Sequence, residues 1–300
     1  MATLRELKGR IGSVASSEKI TGAMKMISSA KMRKAELALR KLTPFRTQIE
    51  TVISNLLAAE ASFSSPLTET RDVKHVAIVV LGSDDGLCGA YNVNIAKKLT
   101  AHIGNLRAEY AQSGSLHFTI LPVGAKIAKI CAKFPNPDIT VTNLAQEGIN
   151  VTSKSSGNDV NSLTRWLEKA FLDGRFDKID MLYMQFKSVS RQRATAEQLI
   201  PVVQETFAAE GASDSQSKPY LFEPTPQAIF SSILPMFLMS VMQEVFTQNR
   251  ASEQAARIMA MQSANDNAKK LLEQLQLEYN KLRQQSITTE LLDIVGGQVR

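Results

Sequence analysis

Apolar residues near both ends of the chain recur in alternating steps of three and four, the heptad spacing of a coiled coil. At the N-terminus we expect this seam to comprise Leu4, Leu7, Ile11, Val14, Ile20, Met24, Ile27, Ile49, Val52, Ile53 and Leu56. The segment between its two halves, SAKMRKAELALRK, is rich in good helix formers. The pattern predicts one coiled-coil helix over residues 1–58, and Pro44 is the point where an interruption is expected.

A second helical pattern occupies residues 227–300 and holds to about Val295, a length of roughly 100 Å. Pro235 should kink this helix or mark its first turn. Its seam is expected at Ala264, Ala268, Leu271, Leu275 and Leu282. So long a helix needs a partner of similar length, which predicts an antiparallel coiled coil with the N-terminal helix. The C-terminal helix is the longer one, so its last turns should protrude alone.

Residues 73–203 follow a different pattern, in which short apolar runs alternate with helical stretches. The runs HVAIVVL, LHFTILPVG, ITVT and IDMLYMQFKSV are predicted strands, and helices are predicted at 93–111, 125–133 and 158–172. This order favours a Rossmann-like α/β domain with a mostly parallel sheet, inserted between the two terminal helices. Residues 204–226 contain Gly, Ser, Asp and Pro and are predicted to form a loop-rich return.

Composition narrows the function. The chain is 44% hydrophobic and 21% charged, has no uninterrupted apolar run of about 18 residues and begins without a signal-like segment, so a soluble intracellular protein is expected. Its two cysteines, Cys88 and Cys131, are expected to be reduced. Residues 1–50 hold eleven Lys/Arg against four Asp/Glu. Such a basic helix suits nucleic acid, an anionic membrane surface or an acidic protein partner.

The sequence gives little support for a catalytic function. The turn SDDGLCGAYN lacks both P-loop and dinucleotide spacing, and Asp84 and Asp85 would repel phosphate. None of the three histidines pairs recognisably with Cys88, and the acids and histidines form no metal-ligand cluster. We therefore predict no catalytic, cofactor-binding or metal-binding residues. A coiled-coil scaffold that binds nucleic acid and a nucleotide-using enzyme built on residues 73–203 remain alternatives.

Three stretches together resemble the gamma subunit family of the rotary (F-type) ATP synthase. They are KITGAMKMISSAKMRKAE (19–36), GLCGAYN (86–92) and the segment from SEQAARIMAMQSANDNA to YNKLRQQSITTELLDIVGG (252–297). Their order and separation also match that family, and the resemblance extends over essentially the whole chain.

The resemblance implies a non-catalytic rotor shaft without cofactors. The shaft would couple proton-driven rotation of a membrane c-ring to conformational changes at the catalytic sites of an alpha/beta hexamer. The implied partners are the alpha and beta subunits, the epsilon subunit and the c-ring, with no nucleic acid. The chain would be peripheral to the membrane through its complex, at the cytoplasmic face of a bacterial inner membrane or, for a mature organellar protein, on the mitochondrial matrix side.

The same resemblance implies residues that contact the partner subunits. Those expected to meet acidic C-terminal loops of the beta subunits are Met24, Lys25, Arg33 and Lys34. Those expected to meet the hexamer higher up are Arg257, Arg283, Gln284 and Thr288. Cys88 is included among the contact residues, although burial alone would account for it. Ile294 and Val295 resemble an apolar tip held in an upper bearing.

Overall fold

Two long helices and a five-stranded sheet account for most of the described chain, which in the computed structural model comprises residues 3–59, 63–111, 115–134, 137–203, 207 and 222–297. The helices are α1 (Leu4–Ala59), α2 (Tyr91–Glu109), α3 (Ala125–Cys131), α4 (Asn158–Leu172) and α5 (Pro226–Gly297). The strands are β1 (His75–Leu81), β2 (His117–Val123), β3 (Ile139–Val141), β4 (Lys178–Ser188) and β5 (Arg191–Ile200). Most of the predicted 204–226 return lies outside the described residues.

The two terminal helices form the predicted antiparallel pair. Asn265 of α5 donates to the Glu18 carbonyl at 2.7 Å, and further along the pair Arg46 of α1 bonds to Glu244 of α5 at 3.0 Å. Both helices continue through their internal prolines, Pro44 and Pro235. The expected interruption at Pro44 is therefore wrong, and so is the expectation that Pro235 marks the first turn of α5.

The true start of α5 is a capped proline turn. The backbone N–H groups of a first helical turn have no partner within the helix, and proline lacks this group, so Pro226 leaves no donor unpaired there. Its fixed φ is also a helical one. The Thr225 hydroxyl accepts from the Ala228 N–H at 3.2 Å, which is N-cap geometry.

The coiled-coil seam of α1 departs from the predicted one in its middle. One line of buried and half-buried positions keeps steps of three and four, and between the two apolar ends it comprises Glu18, Thr21, Lys25, Ser28, Met32, Ala35, Leu39, Leu42 and Arg46. The half-buried residues beside this line are Gly22, Ser29, Glu36 and the predicted seam residue Met24. Ile20 and Ile27, assigned to the seam by their hydrophobicity, are 59% and 56% exposed, and Val52 is also exposed. In this stretch the seam is therefore defined by the spacing of its residues along the helix and not by their apolar character.

The seam of α5 needs a smaller correction. One line of its buried and half-buried positions, again in steps of four and three, comprises Met261, Asn265, Ala268, Leu272, Leu275, Tyr279, Leu282 and Ser286. The predicted Ala264 is half-buried beside Asn265, and Leu271 is 41% exposed, so the adjacent Leu272 takes its expected place. Asn265 is a buried polar residue within this seam.

The sheet has strand order β3-β2-β1-β4-β5, with β1, β2, β3 and β4 parallel and β5 antiparallel to β4. This confirms the predicted, mostly parallel α/β fold. The sequence analysis missed β5, because charged residues such as Arg191, Arg193 and Glu197 obscure its alternation. Only two residues separate β4 from β5, as in a tight hairpin.

Each face of the sheet packs against helices. Ala77, Val79 and Leu81 of β1 join one core with α4, the C-terminal end of α1 and the first half of α5. Ile78 and Val80 join the second core with α2 and α3. An 18-residue window of α5 has a mean hydropathy of 1.6, high enough for a membrane span, but 56% of it is buried inside the protein. Core packing therefore accounts for its apolar character.

Candidate partner-contact surface

The C-terminal end of α5 extends beyond its partner helix. Glu18 and Thr21 of α1 lie beside Asn265, so the start of α1 falls opposite about residue 282 of α5. The exposed large apolar residues described beyond that point are Ile287, Leu291, Leu292, Ile294 and Val295, the last two 63% and 62% exposed. An apolar cluster of this kind on a protruding helix marks a surface for a partner.

The outward face of α1 combines positive charge with exposed apolar side chains. Arg33 and Lys34 are exposed. Ile20, Met26, Ile27 and Leu37 are each more than half exposed. Cations provide orientation and long-range attraction, and apolar groups provide contact area, so this face suits a partner surface that is acidic and partly apolar.

The turn between β1 and α2 is pinned against neighbouring segments. The Asp84 carboxylate accepts from the Ala125 N–H at 2.9 Å and from the Ser153 hydroxyl at 2.8 Å. Leu87 adopts the left-handed conformation, with φ of 62°, and its side chain is exposed. Gly82 allows the closest approach in the turn, since a Cβ there would lie 2.3 Å from the Ile127 Cβ. The pinned acid also explains why Asp84 is not available to a ligand.

A buried ion pair fastens this turn to α5. Arg257 lies one helical turn after Glu253 and donates to its carboxylate at 2.7 Å, with side-chain exposures of 7% and 2%. Its guanidinium also donates to the carbonyl oxygens of Gly86 and Asp85, at 3.2 and 3.4 Å. Burial raises the pKa of Glu253, and the charge of Arg257 opposes that rise. The Arg257 side chain therefore holds the backbone of the turn against α5.

At the surface, Asp85 pairs with Lys154 at 2.9 Å, and both side chains are more than half exposed. The hydrogen bond from Lys154 is the main cause that lowers the pKa of Asp85, and Lys31 and Arg257 add to it. The sequence analysis singled out neither Lys31, although it lies within the stretch 19–36, nor Lys154, which lies in no recognisable motif.

The side chain of Asn249 lies between the sheet and α5. Its Oδ1 accepts from the Tyr91 hydroxyl at 2.7 Å and from the Met184 N–H at 3.3 Å, and its Nδ2 donates to the Gly82 carbonyl at 3.2 Å. One turn further, the Ser252 hydroxyl donates to the Met184 carbonyl at 2.8 Å. These buried hydrogen bonds connect α5 to Gly82 just after β1, to Met184 within β4 and to the first residue of α2.

The cysteines are buried, and the histidines take part in ring and hydrogen-bonding contacts of the α/β domain. Cys88 is buried, with its Sγ 3.7 Å from the Ser83 hydroxyl, and burial raises the pKa of the Cys131 thiol to about 12. His75 and His117 stack on each other, and His102 bonds to the buried Asp180 at 2.8 Å. Within the described ranges, no group of three or more His, Cys, Asp or Glu side chains could hold a metal ion.

The residues predicted to contact partners divide into two groups. Among the accessible ones, Met24 and Lys25 are half-buried, and the exposed residues are Arg33, Lys34, Arg283, Gln284 and Thr288. Cys88 lies within the turn between β1 and α2 and Arg257 packs against that turn from α5, and both are buried, at 4% and 6% exposure. Gln284 and Thr288 share one face of the protruding end, where the threonine hydroxyl bonds to the Gln284 carbonyl at 2.9 Å.

Comparison with known proteins identifies a single family. A family model described as ATP synthase matches residues 3–299. The ATP synthase gamma chain of Phocaeicola vulgatus is 38% identical over 303 residues, covering 100% of both chains. The gamma chain of Heliobacterium modesticaldum is 32% identical over 300 residues, covering 99% of this chain and 98% of that one.

Solved structures show the same fold at lower identity. The rotor of Euglena gracilis mitochondrial ATP synthase matches with a TM-score of 0.61 and 16% identity, covering 95% of this chain and 98% of that chain. A chain from the central stalk and c-ring of Tetrahymena thermophila mitochondrial ATP synthase matches with a TM-score of 0.55 and 21% identity, covering 82% and 99%.

Proposed function

This chain belongs to the ATP synthase gamma-chain family, and from that premise we propose that it turns as the central shaft between a membrane c-ring and a hexamer of alpha and beta subunits. It is a non-catalytic subunit, and ATP is made or hydrolysed at sites on the hexamer. The observation that carries the proposal is the antiparallel pair of α1 and α5, whose end protrudes with an exposed apolar tip. A helix end of this kind suits a bearing.

The hexamer would hold the upper part of the shaft. Arg33 and Lys34, with the half-buried Met24 and Lys25, face outward or along the edge of α1, where acidic loops of the beta subunits would meet them. Opposite charges at a partly solvated contact favour orientation and rapid exchange over tight binding. Rotation requires such contacts, since each one must form and break in every turn.

Nearer the tip, Arg283, Gln284 and Thr288 would contact hexamer loops, and the apolar residues from Leu291 to Val295 would occupy the upper bearing. Arg283 can form paired hydrogen bonds with a carboxylate. Cys88 and Arg257 would contribute indirectly, because both are buried. Arg257 supports the Asp85–Gly86 backbone, so it would set the shape of a contact formed by the exposed Leu87.

The α/β domain would lie between the hexamer and the membrane, against the epsilon subunit and the c-ring. The chain would then be peripheral at the cytoplasmic face of a bacterial inner membrane, consistent with bacterial relatives at 32–38% identity. A mitochondrial matrix location is the alternative for an organellar chain.

The proposed coupling mechanism depends on the asymmetry of the shaft surface. The outward face of α1 is basic and apolar at Ile20 and Ile27, whereas other faces of the shaft carry different side chains. Three equivalent catalytic sites facing different sides of the shaft therefore experience different contacts. A contact that favours one conformation over another shifts the population of that site, and rotation passes this preference from site to site.

Reconstitution tests the proposal. Purified alpha and beta subunits are mixed with the chain, and ATP hydrolysis and subunit stoichiometry are measured. We expect one copy per hexamer, sustained hydrolysis that depends on the chain, and no hydrolysis by the chain alone. Failure to form a complex, together with DNA binding that weakens steeply with salt, would favour a nucleic-acid scaffold instead.

A matched pair of charge reversals tests the surface. Lys34 on α1 and Lys97 on α2 are both exposed lysines on helices. Lys34→Glu should slow assembly with the hexamer and weaken its dependence on salt, whereas Lys97→Glu should leave both unchanged. Equal effects of the two substitutions would argue against a specific basic contact on α1.

A further inference from the structure

We propose that Asn249 is the joint that fixes the rotational position of the α/β domain on the shaft, so that torque applied to either one is transmitted to the other without angular play. The inference rests on the proposed rotor function and adds a positioning role for a residue that is buried within the chain.

Asn249 of α5 bonds to the sheet just past the end of the β1–β4 ladder. The paired residues of the parallel strands β1 and β4 run as far as Val80 and Leu182. Two positions further along each chain segment are Gly82, just after β1, and Met184, within β4, and the Asn249 amide bonds to both of them, donating to the Gly82 carbonyl and accepting from the Met184 N–H. A side chain of the shaft thus inserts between two strands where their ladder opens.

Tyr91 completes the joint from the first turn of α2. Its hydroxyl lies 2.7 Å from the Asn249 Oδ1 and 3.0 Å from the Asn249 backbone carbonyl. Both residues are buried, and burial raises the pKa of the Tyr91 hydroxyl well above 10, so it stays protonated and able to donate. One residue of α5 is therefore held by β1, β4 and α2 together.

Directional bonds matter here because apolar packing has no preferred angle. The apolar contacts of α5, such as those of Val245, Phe246 and Ala255, would tolerate small rotations of the helix about its own axis. Hydrogen bonds weaken steeply when their geometry changes, and a buried amide left unpaired is costly. The Asn249 amide therefore gives the interface one preferred angle, as buried polar residues do for the register of coiled coils.

The joint also lies where torque must pass. α1 and α5 enter the hexamer as a pair, while the α/β domain is attached to the same helices near its sheet. The neighbouring contacts lie on the same part of α5, with Ser252 bonded to Met184 and Arg257 to the turn at Asp85 and Gly86. Asn249 is the member of this group that binds both strands at once.

Single-molecule rotation measures the angular play directly. The hexamer is fixed to a surface, and a probe is attached to the α/β domain through Asp173→Cys, an exposed position just after α4. During nucleotide-bound pauses, the variance of the probe angle is inversely related to the torsional stiffness of the path from hexamer to domain. Asn249→Leu replaces the amide with an apolar side chain of similar size and removes its side-chain hydrogen bonds.

We expect Asn249→Leu to raise the angular variance roughly twofold, since the bonds to Gly82 and Met184 are lost and only the bond from the Tyr91 hydroxyl to the backbone carbonyl of residue 249 remains at this contact. Tyr91→Phe should raise it less. Tyr183→Phe is the matched control, because that equally buried tyrosine bonds to Glu197 within the sheet at 3.0 Å and not to α5. It should leave the variance unchanged, although it too removes a buried hydroxyl and lowers stability.

The outcomes separate the two proposals. If the unsubstituted chain forms no rotating complex, the rotor function fails. If that chain rotates but Asn249→Leu and Tyr91→Phe leave the variance at the control level, the joint is wrong. A rise that is equal in all three variants would mean that lost stability, rather than the joint, sets the stiffness. Should Asn249→Leu not assemble, the comparison of Tyr91→Phe with Tyr183→Phe decides.

Discussion

The two parts of α5 are the same helix in very different surroundings. Between Ser240 and Ile258 nearly every residue is buried, against α1 on one side and the sheet and α4 on the others. Beyond Arg283 the described side chains are almost all exposed, including leucines, isoleucine and valine. The first part is specified by contacts within the chain, whereas the second carries apolar residues for which the chain itself offers no cover. The difference teaches that apolar residues on a long helix indicate a contact surface, but they do not show whether the partner is the same chain or another protein.

A pair of truncations should give the largest contrast between the two parts. Phe246→Ala removes a fully buried ring and should cost about 3–5 kcal/mol of unfolding free energy, while Leu292→Ala should change it by less than about 0.5 kcal/mol. Chemical denaturation of the isolated chain measures both. In assembly with alpha and beta subunits we expect the tip variant to bind more weakly despite its normal stability. A large loss of stability from Leu292→Ala would show that the tip packs within the chain.

Removing the buried arginine should give the next largest effect. Arg257→Met leaves Glu253 buried without its cation and should cost about 3 kcal/mol near neutral pH. The folded-state pKa of Glu253 is already raised above its ordinary 4.5, and losing Arg257 raises it further. The folded state then binds the proton more tightly than the unfolded state, so the variant regains stability as pH falls and loses it as pH rises.

Denaturation at about pH 5 and about pH 7.5 checks this sign, with a smaller cost expected at the lower value. Arg175→Met is the control, since its partner Glu147 is at the surface and the pair should make little difference at either pH. A cost for Arg257→Met that is independent of pH would mean that Glu253 stays charged throughout and that packing, not charge, explains the loss.

Between the two parts, Asn265 should affect register more than stability. Asn265→Leu adds apolar area to the seam but removes the hydrogen bonds to Glu18 and Thr21, so the net change should stay below about 1 kcal/mol. Spin labels at the exposed Lys8 and Lys270 should report a broader distance distribution, because the helices can slide. An unchanged width would assign the register to other residues.

The smallest effect is expected at the surface of the turn. Lys154→Met removes the ion pair with Asp85, in which both side chains are more than half exposed, and should cost at most about 0.5 kcal/mol. Thermal unfolding at low and high salt measures it, and the difference should shrink as salt rises. A cost that salt does not change would point to packing of the lysine stem.

Sequence reasoning succeeded where a pattern is long and repeated. The heptad spacing from Leu4 to Val14 predicted α1, and the β-branched run from His75 to Leu81 predicted β1. It failed where hydrophobicity and geometry disagree, at Ile20 and Ile27, because a seam of small and polar residues keeps its spacing without looking apolar. It also missed β5, an edge strand whose charged residues conceal its alternation.

The contact residues, including the buried Arg257, were placed by resemblance, whereas Asn249 was not identified. The bonds from Asn249 to Gly82 and from Arg257 to Gly86 have no local signature, since these partners are 167 and 171 positions away in the chain. Such contacts depend on how the domain is inserted, which spacing within one segment does not reveal.

The insertion of the α/β domain also governs the order of synthesis. Asn265 lies 247 positions after the Glu18 carbonyl that it contacts, so α1 leaves the ribosome long before its partner exists. At about 5–20 residues per second, that interval is on the order of tens of seconds. During this time the seam residues of α1 have no partner helix within the chain to pack against. Eleven cationic residues against four acidic ones in the first 50 would keep such a segment dissolved and apart from its copies on neighbouring ribosomes.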